Sequence, residues 1–192
     1  HAMALAELEA FLESSPSEPE RSKAEYARGI CLHTLGRSAD AASAFERVVG
    51  LKDFEFRADA LLLLARIAFD AKGYNDAARF AGTLVREFPT FRHLATARQI
   101  EGESLVRAGK PAEGRAALDA LLDSRLDALL DATAPTSPEL LRRAALMAAH
   151  ASVLLKDDRG AVERLAPARF TGAPAAERAA ADLLAAQSLH RL

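Results

Sequence analysis

Apolar residues return every three or four positions along nearly the whole chain, as in Phe45 and Val48, Ala81 and Leu84, and Leu118 and Leu121. That spacing lines one face of an α-helix, and no alternating stretch is long enough for a strand. The breaks between periodic runs carry helix-stop and helix-start chemistry. Phe88-Pro89-Thr90 ends one run, Thr133 to Pro138 reads as a loop, and Pro167 and Pro174 bracket the last linker. Ser17 and Glu20 have capping-box spacing, and Ser137-Pro138-Glu139 reads as an N-cap followed by a first-turn proline. The pattern predicts helices near 4–14, 20–35, 38–50, 55–72, 75–88, 91–108, 111–131, 138–155, 159–166 and 175–191.

The turns repeat. TLGRSADAASAFERVV from Thr34, AKGYNDAARFAGTLV from Ala71, RAGKPAEGRAALDALL from Arg107 and LKDDRGAVERLA from Leu155 share one layout. The first three centre on Gly36, Gly73 and Gly109, spaced 37 and 36 residues apart. Glycine closes a helix readily because it enters the left-handed region at little cost. A small residue follows each turn (Ala41, Ala77, Gly114, Ala161), and apolar residues follow at helical spacing. In the fourth segment, Asp157-Asp158 stands in for the turn glycine. The unit is helix, short turn, helix.

Composition sharpens this picture. Half of the 192 residues are hydrophobic, mostly Ala and Leu, and Trp is absent. Both residues favour helix, and small side chains let helices approach closely. The net charge of −2 comes from 25 basic and 27 acidic residues, well interspersed, which excludes the basic footprint of a nucleic-acid binder. The lone cysteine, Cys31, cannot form an intrachain disulfide and reads as a buried structural thiol. No run approaches the roughly 20 apolar residues that span a bilayer, so direct membrane insertion is not expected. His1-Ala2-Met3 looks like a cloning remnant, and the chain reads as cut from a longer protein, so targeting signals lie outside its reach. Location stays open between a bacterial cell envelope or periplasm and the cytoplasm.

These repeats resemble the tetratricopeptide repeat, a unit of about 34 residues with two antiparallel helices. The first unit offers Gly29, Gly36, Ala41, Phe45 and Val48, with Asp53 where proline is usual. The second offers Ala65, Gly73, Ala77, Leu84 and Pro89; the third, Gly102, Leu105, Gly109, Gly114, Leu118 and Leu121. A weaker fourth has Ala149, Asp157, Ala161 and Leu165. The spacing and the stretch EFPTFRHLATA look like repeats of bacterial cell-envelope members of that family. The resemblance implies an all-α, right-handed solenoid of antiparallel helix pairs, with about four repeats, a leading half-repeat and a closing helix. After residues 1–3, the span 4–192 is expected to be a single domain, with units near 22–55, 58–91, 95–128 and 142–174 and the closing helix at 175–191.

In such a solenoid the first helices line a concave face. Register-matching places Tyr26, Ile30 and His33 there from the first unit, Asp59, Leu62, Arg66 and Phe69 from the second, and Gln99, Glu103 and Arg107 from the third. Lys23 and Thr34 join the first set, Thr96 and Val106 the third, and Arg143, Leu146, His150 and Val153 extend the face in the fourth. Apolar anchors amid polar groups suit a binding surface; Leu62 and Phe69 read equally as packing between helices. A clamp for a partner's C-terminal carboxylate, known in some members, is rejected, because Ala27, Ile30 and Ile100 occupy the places of its amide side chains.

No catalytic residue, cofactor or metal site is expected. His33, His93, His150 and His190 lie far apart, and no phosphate loop, nucleophile elbow or dinucleotide fingerprint is present. The expected function is non-catalytic: binding a partner protein or peptide segment in the groove within a bacterial multi-protein assembly. Two alternatives remain: a self-associating scaffold, a homo-oligomer joined at repeat edges such as that of Leu5, Leu8 and Leu12, or a sensory domain of a larger regulator.

Overall fold

A computed structural model describes residues 1–123 and 137–192. The expected helix over 111–131 ends at Leu122, with Asp123 its extended C-cap (ψ 117°); residues 124–131, and the expected loop from Thr133 up to Ser137, fall outside the described residues. Among the described residues there are ten α-helices, one 3-10 turn and no strand. They gather into two compact units, His1–Phe88 and Pro89–Leu192.

The first unit holds α1 (Ala2–Glu13), α2 (Glu18–Thr34), α3 (Ser38–Val49), α4 (Arg57–Asp70) and α5 (Tyr74–Glu87), each packed on the next. The start of α2 follows its sequence signature, with Glu20 accepting from the Ser17 backbone N–H at 3.3 Å. Leu32, Ala41, Phe45, Val48, Leu64, Ala65, Ala77 and Leu84 are buried. The small residues earn their place by contact distance: a Cβ on Gly29 would lie 2.5 Å from the Phe45 ring, so glycine on α2 makes room for phenylalanine on α3. Cys31 is buried beside Leu32 in the chain.

The second unit holds α6 (Leu94–Arg107), α7 (Pro111–Leu122), α8 (Pro138–Leu154), the short α9 (Asp158–Arg164), a 3-10 turn (Pro167–Phe170) and α10 (Ala175–Arg191). Here the α6 and α7 backbones nearly touch, since a Cβ on Gly114 would lie 2.7 Å from the Gly102 carbonyl oxygen. An alanine-rich core continues through Ala144, Ala148 and Ala151, packed with Val106, Leu118 and Leu121. Beyond it, Phe170 from the 3-10 turn fills the space among Ala145, Ala149, Ala161, Leu165, Ala173 and Ala181. That turn and the seven-residue α9 account for the weakness of the fourth repeat in the sequence.

The turns need one correction. At the four repeat turns the residues in the left-handed region are Gly36 (φ 77°), Lys72 (φ 61°), Gly109 (φ 80°) and Lys156 (φ 59°). Gly73, which the sequence places at the second turn, has φ −76° and is the N-cap of α5. Asp157 likewise sits one residue past the turn as the N-cap of α9, its carboxylate accepting from the Gly160 N–H at 2.9 Å. All four turns close with the same long hydrogen bond. It runs from Arg37 N–H to the Leu32 carbonyl (2.9 Å), Gly73 to Ala68 (2.8 Å), Lys110 to Leu105 (2.9 Å) and Asp157 to Ser152 (2.9 Å). This is the Schellman closure of a helix end. It leaves repeat spacings of 36, 37 and 47.

Candidate functional site

The common turn geometry fixes a register for the first helices of the four pairs, α2, α4, α6 and α8. Counting back from each left-handed residue, one stripe on α2 carries Lys23, Ala27, Ile30 and Thr34. The equivalent stripe on α4 carries Asp59, Leu63, Arg66 and Asp70. Residues at i, i+4, i+7 and i+11 share one helix face. On α2 and α4 every member of this stripe is half-buried or exposed, whereas neighbours such as Leu32, Leu64 and Ala65 are buried.

This register corrects the expected α4 surface. Leu62 is only 8% exposed and belongs to the core, and Leu63 takes the outward position beside Asp59 and Arg66. The physical reason is rotational: Leu62 and Phe69 are seven apart and share a line, but that line lies at the edge of the exposed stripe. Phe69 is half-buried and meets Tyr74 edge-on at 5.7 Å. On α2, Tyr26 and His33 occupy the equivalent flank and are half-buried, as is Ile30.

Tyr26 has a second role. Its ring stacks on Phe56 at 5.0 Å and lies 5.9 Å from both Phe54 and Phe45, so it joins the α3–α4 linker to the core. Phe54 and Phe56 pack edge-on at 5.8 Å. In the second unit Phe91 and His93, also two residues apart just before a first helix, repeat that geometry at 5.6 Å. An open cleft of about 560 Å³ lies beside this linker in the first unit, lined by Pro19, Lys23, Leu51, Phe54 and Glu55 among others. Lys23 pairs with Glu55 across it at 2.9 Å.

In the second unit the stripe is Thr96, Ile100, Glu103 and Arg107 on α6, and Arg143, Met147, His150 and Leu154 on α8. Glu103 departs from the pattern, being 1% exposed. The expectation that it faces a partner is therefore corrected: Arg143 covers it. Arg143 donates from Nε to Oε1 at 2.6 Å and from Nη2 to Oε2 at 3.0 Å, and Gln99 donates to Oε1 at 2.9 Å. Arg107 stands 3.9 Å from Oε2. The hydrogen bond it donates to Glu103 holds the Arg143 guanidinium above its ordinary pKa, against the opposing effect of burial. Burying a carboxylate requires this much compensation. Gln99 is half-buried and Arg107 exposed. Three of the expected residues, Gln99, Glu103 and Arg107, thus come together with Arg143, while Tyr26, Ile30 and His33 share α2, and Asp59, Arg66 and Phe69 share α4.

Among the described residues no group of three or more His, Cys, Asp or Glu side chains is placed to hold a metal ion, and no helix is long and apolar enough to cross a membrane. No sequence signal singles out Leu63 among the four successive leucines Leu61 to Leu64; the register comes from the hydrogen-bond closure of the turns in the structure.

No protein-family model and no curated protein matches the chain. Solved structures do. MamA (41-end) from Desulfovibrio magneticus RS-1 is 21% identical with a TM-score of 0.60, covering 83% of this chain and 78% of that one. A tetratricopeptide repeat protein from Parabacteroides merdae ATCC 43184 is 15% identical with a TM-score of 0.50, covering 96% of this chain. The P58(IPK) TPR domain matches at the same identity, TM-score and coverage. This chain spans 63% of the Parabacteroides chain and 51% of the P58(IPK) chain.

Proposed function

We propose that this all-helical, tetratricopeptide-like chain is a non-catalytic module that holds a segment of another protein on its first-helix face, within a bacterial multi-protein assembly. The fold supports an interaction role, since repeats of this kind present side chains along a face rather than enclosing a reaction. The observation that carries the reading is the stripe. Equivalent positions on α2 and α4 leave Ile30, Leu63 and Arg66 half-buried or exposed in one register, amid charged Lys23, Asp59 and Asp70. Apolar anchors ringed by polar groups are what binding surfaces offer. Two of the similar structures come from bacteria, which supports the setting.

The test uses a partner recovered with the chain as bait, followed by quantitative binding to purified variants. Leu63→Ala with Arg66→Ala is expected to weaken that partner at least tenfold, as loss of one anchor of about 1.4 kcal/mol does. Glu113→Ala, an exposed change on α7, is the control and should leave binding unchanged. Normal binding by the stripe variant, or equal loss in the control, sinks the reading.

A second reading, self-association, has one observation in its favour. Leu5, Leu8 and Leu12 turn out buried or half-buried, so they do not form the open edge, but Met3 and Phe11 on α1 and Leu183 and Leu189 on α10 stand exposed. A sedimentation coefficient that stays at the monomer value with rising concentration would dismiss it.

A further inference from the structure

We infer that the cleft beside the α3–α4 linker is the pocket for one bulky apolar side chain of the bound segment (leucine, methionine or an aromatic), an inference that rests on the partner-binding reading above. The cleft and the α2 and α4 stripes all belong to the first compact unit. The cleft opens at the head of the α2 stripe. Pro19, one turn before Lys23, continues the line of Lys23, Ala27, Ile30 and Thr34, and Pro19 and Lys23 both line the cleft. Glu55, four residues before Asp59 of the α4 stripe, pairs with Lys23 across it at 2.9 Å. A segment that lies on the α2 stripe and runs toward the start of that helix therefore meets the cleft next. The stripe needs such an anchor, because on α2 its large apolar member is the half-buried Ile30 alone.

The lining selects apolar surface. Ser22, its buried polar residue, is already satisfied, since the hydroxyl donates to the Glu18 carbonyl at 2.9 Å. Lys23 and Glu55 satisfy each other with side chains 63% and 54% exposed, so their pair is weak and swings aside at little cost. Glu18, Lys52 and Asp53 stand exposed and keep their charges in water. What a ligand buries there is Pro19, Leu51 and Phe54. These walls exist before any ligand arrives. The linker bonds to itself, the Phe54 N–H donating to the Leu51 carbonyl at 3.2 Å and the Arg57 N–H to the Phe54 carbonyl at 3.0 Å. The Phe54 ring is braced by Tyr26 at 5.9 Å and by Phe56 at 5.8 Å. Little ordering is left for binding to impose. At about 560 Å³ the cleft falls within the roughly 300–1,000 Å³ of ligand pockets and has room for a large side chain.

The experiment selects random peptides displayed on phage against the whole chain and keeps those that Leu63→Ala with Arg66→Ala weakens. Each should carry one bulky apolar residue whose replacement by alanine raises Kd roughly tenfold or more, as loss of a buried anchor does. That residue is then exchanged for p-benzoylphenylalanine, a photoreactive amino acid that is itself bulky and apolar, and its crosslinks to the parent chain are mapped by mass spectrometry. Crosslinks within 18–23 and 51–55 are the expected result. Leu51→Ala, which trims a half-buried wall of the cleft, should shrink the effect of alanine at the anchor to about threefold. If that variant fails to fold, the crosslinks decide, because they are read on the unaltered chain. Absence of crosslinks in the cleft would overturn the inference and leave the binding reading standing. So would peptides that need no bulky apolar residue, or an anchor whose effect Leu51→Ala leaves untouched. Selection of no peptide that depends on the stripe would overturn both.

Discussion

At the residue scale, the turns and the small core positions carry distinct costs. Lys72 and Lys156 adopt the left-handed conformation that Gly36 and Gly109 adopt without a Cβ. For a side-chain-bearing residue that conformation costs on the order of 1 kcal/mol. Lys72→Gly and Lys156→Gly should therefore each stabilise the protein slightly, by about 0.5 kcal/mol, after the added freedom of the unfolded chain is subtracted. Urea unfolding with unchanged slope would show it, and a loss of stability would mean the lysine side chains contribute more than their backbone strain costs. Ala77 is fully buried, early in α5. Ala77→Arg should lose several kcal/mol, overpacking plus a buried charge, and melt far below the parent. The small-residue positions were readable from sequence because close approach admits little else. Lys72 was not, because lysine carries no turn signal and Gly73 next to it draws the eye.

Elements are tied to one another by arginine–carboxylate pairs that sequence patterning could not reveal, since their partners lie tens of residues apart. Arg57 on α4 donates to Glu87 on α5 at 2.6 Å and also to the Val49 carbonyl at 2.7 Å. In the second unit Arg115 meets Asp157 at 2.7 Å, Arg142 meets Glu177 at 2.7 Å, Arg164 grips Asp119 and Arg191 meets Asp158 at 2.8 Å. The Arg57 hydrogen bond holds Glu87 below its ordinary 4.5, and the Arg191 hydrogen bond holds Asp158 below its ordinary 3.8. A carboxylate with a depressed folded pKa contributes stability above its unfolded pKa and loses it as pH falls through the folded value. Thermal stability should accordingly stay level down to about pH 5 and fall below that, through the range under 4.5 for Glu87 and under 3.8 for Asp158. Glu87 is exposed and Asp158 half-buried, so the fall is shallow and shrinks in high salt for Glu87 and is less screened for Asp158. Glu87→Gln should flatten the upper part of the curve. A melting temperature that rises on acidification would contradict the account. Element existence, by contrast, was legible: every helix expected within the described residues is there, with ends shifted by a few residues where caps and not periodicity decide.

Across the whole molecule, a surface for recognition and a core for folding share the same helices, and telling them apart is the harder reading. Periodicity gives a helix its apolar face, but α4 is apolar around most of its circumference, with Ala58, Ala60, Leu61, Leu62, Leu64, Ala65 and Ile67 all buried. Four leucines in succession cannot announce which one looks outward; the turn register does, and it selects Leu63. The two readings separate in one experiment. Leu62→Ala with Phe69→Ala removes a buried leucine and a half-buried ring, so it should cost about 2–5 kcal/mol and lower the urea midpoint clearly. Leu63→Ala with Arg66→Ala trims half-exposed and exposed side chains and should cost about 1 kcal/mol or less, with far-ultraviolet circular dichroism unchanged and strongly helical. Partner binding should follow the opposite order once each variant is measured well below its melting range. If the first pair is the one that keeps full stability, the register drawn from Gly36, Lys72, Gly109 and Lys156 is off by one residue, and the recognition stripe moves to the Leu62 line.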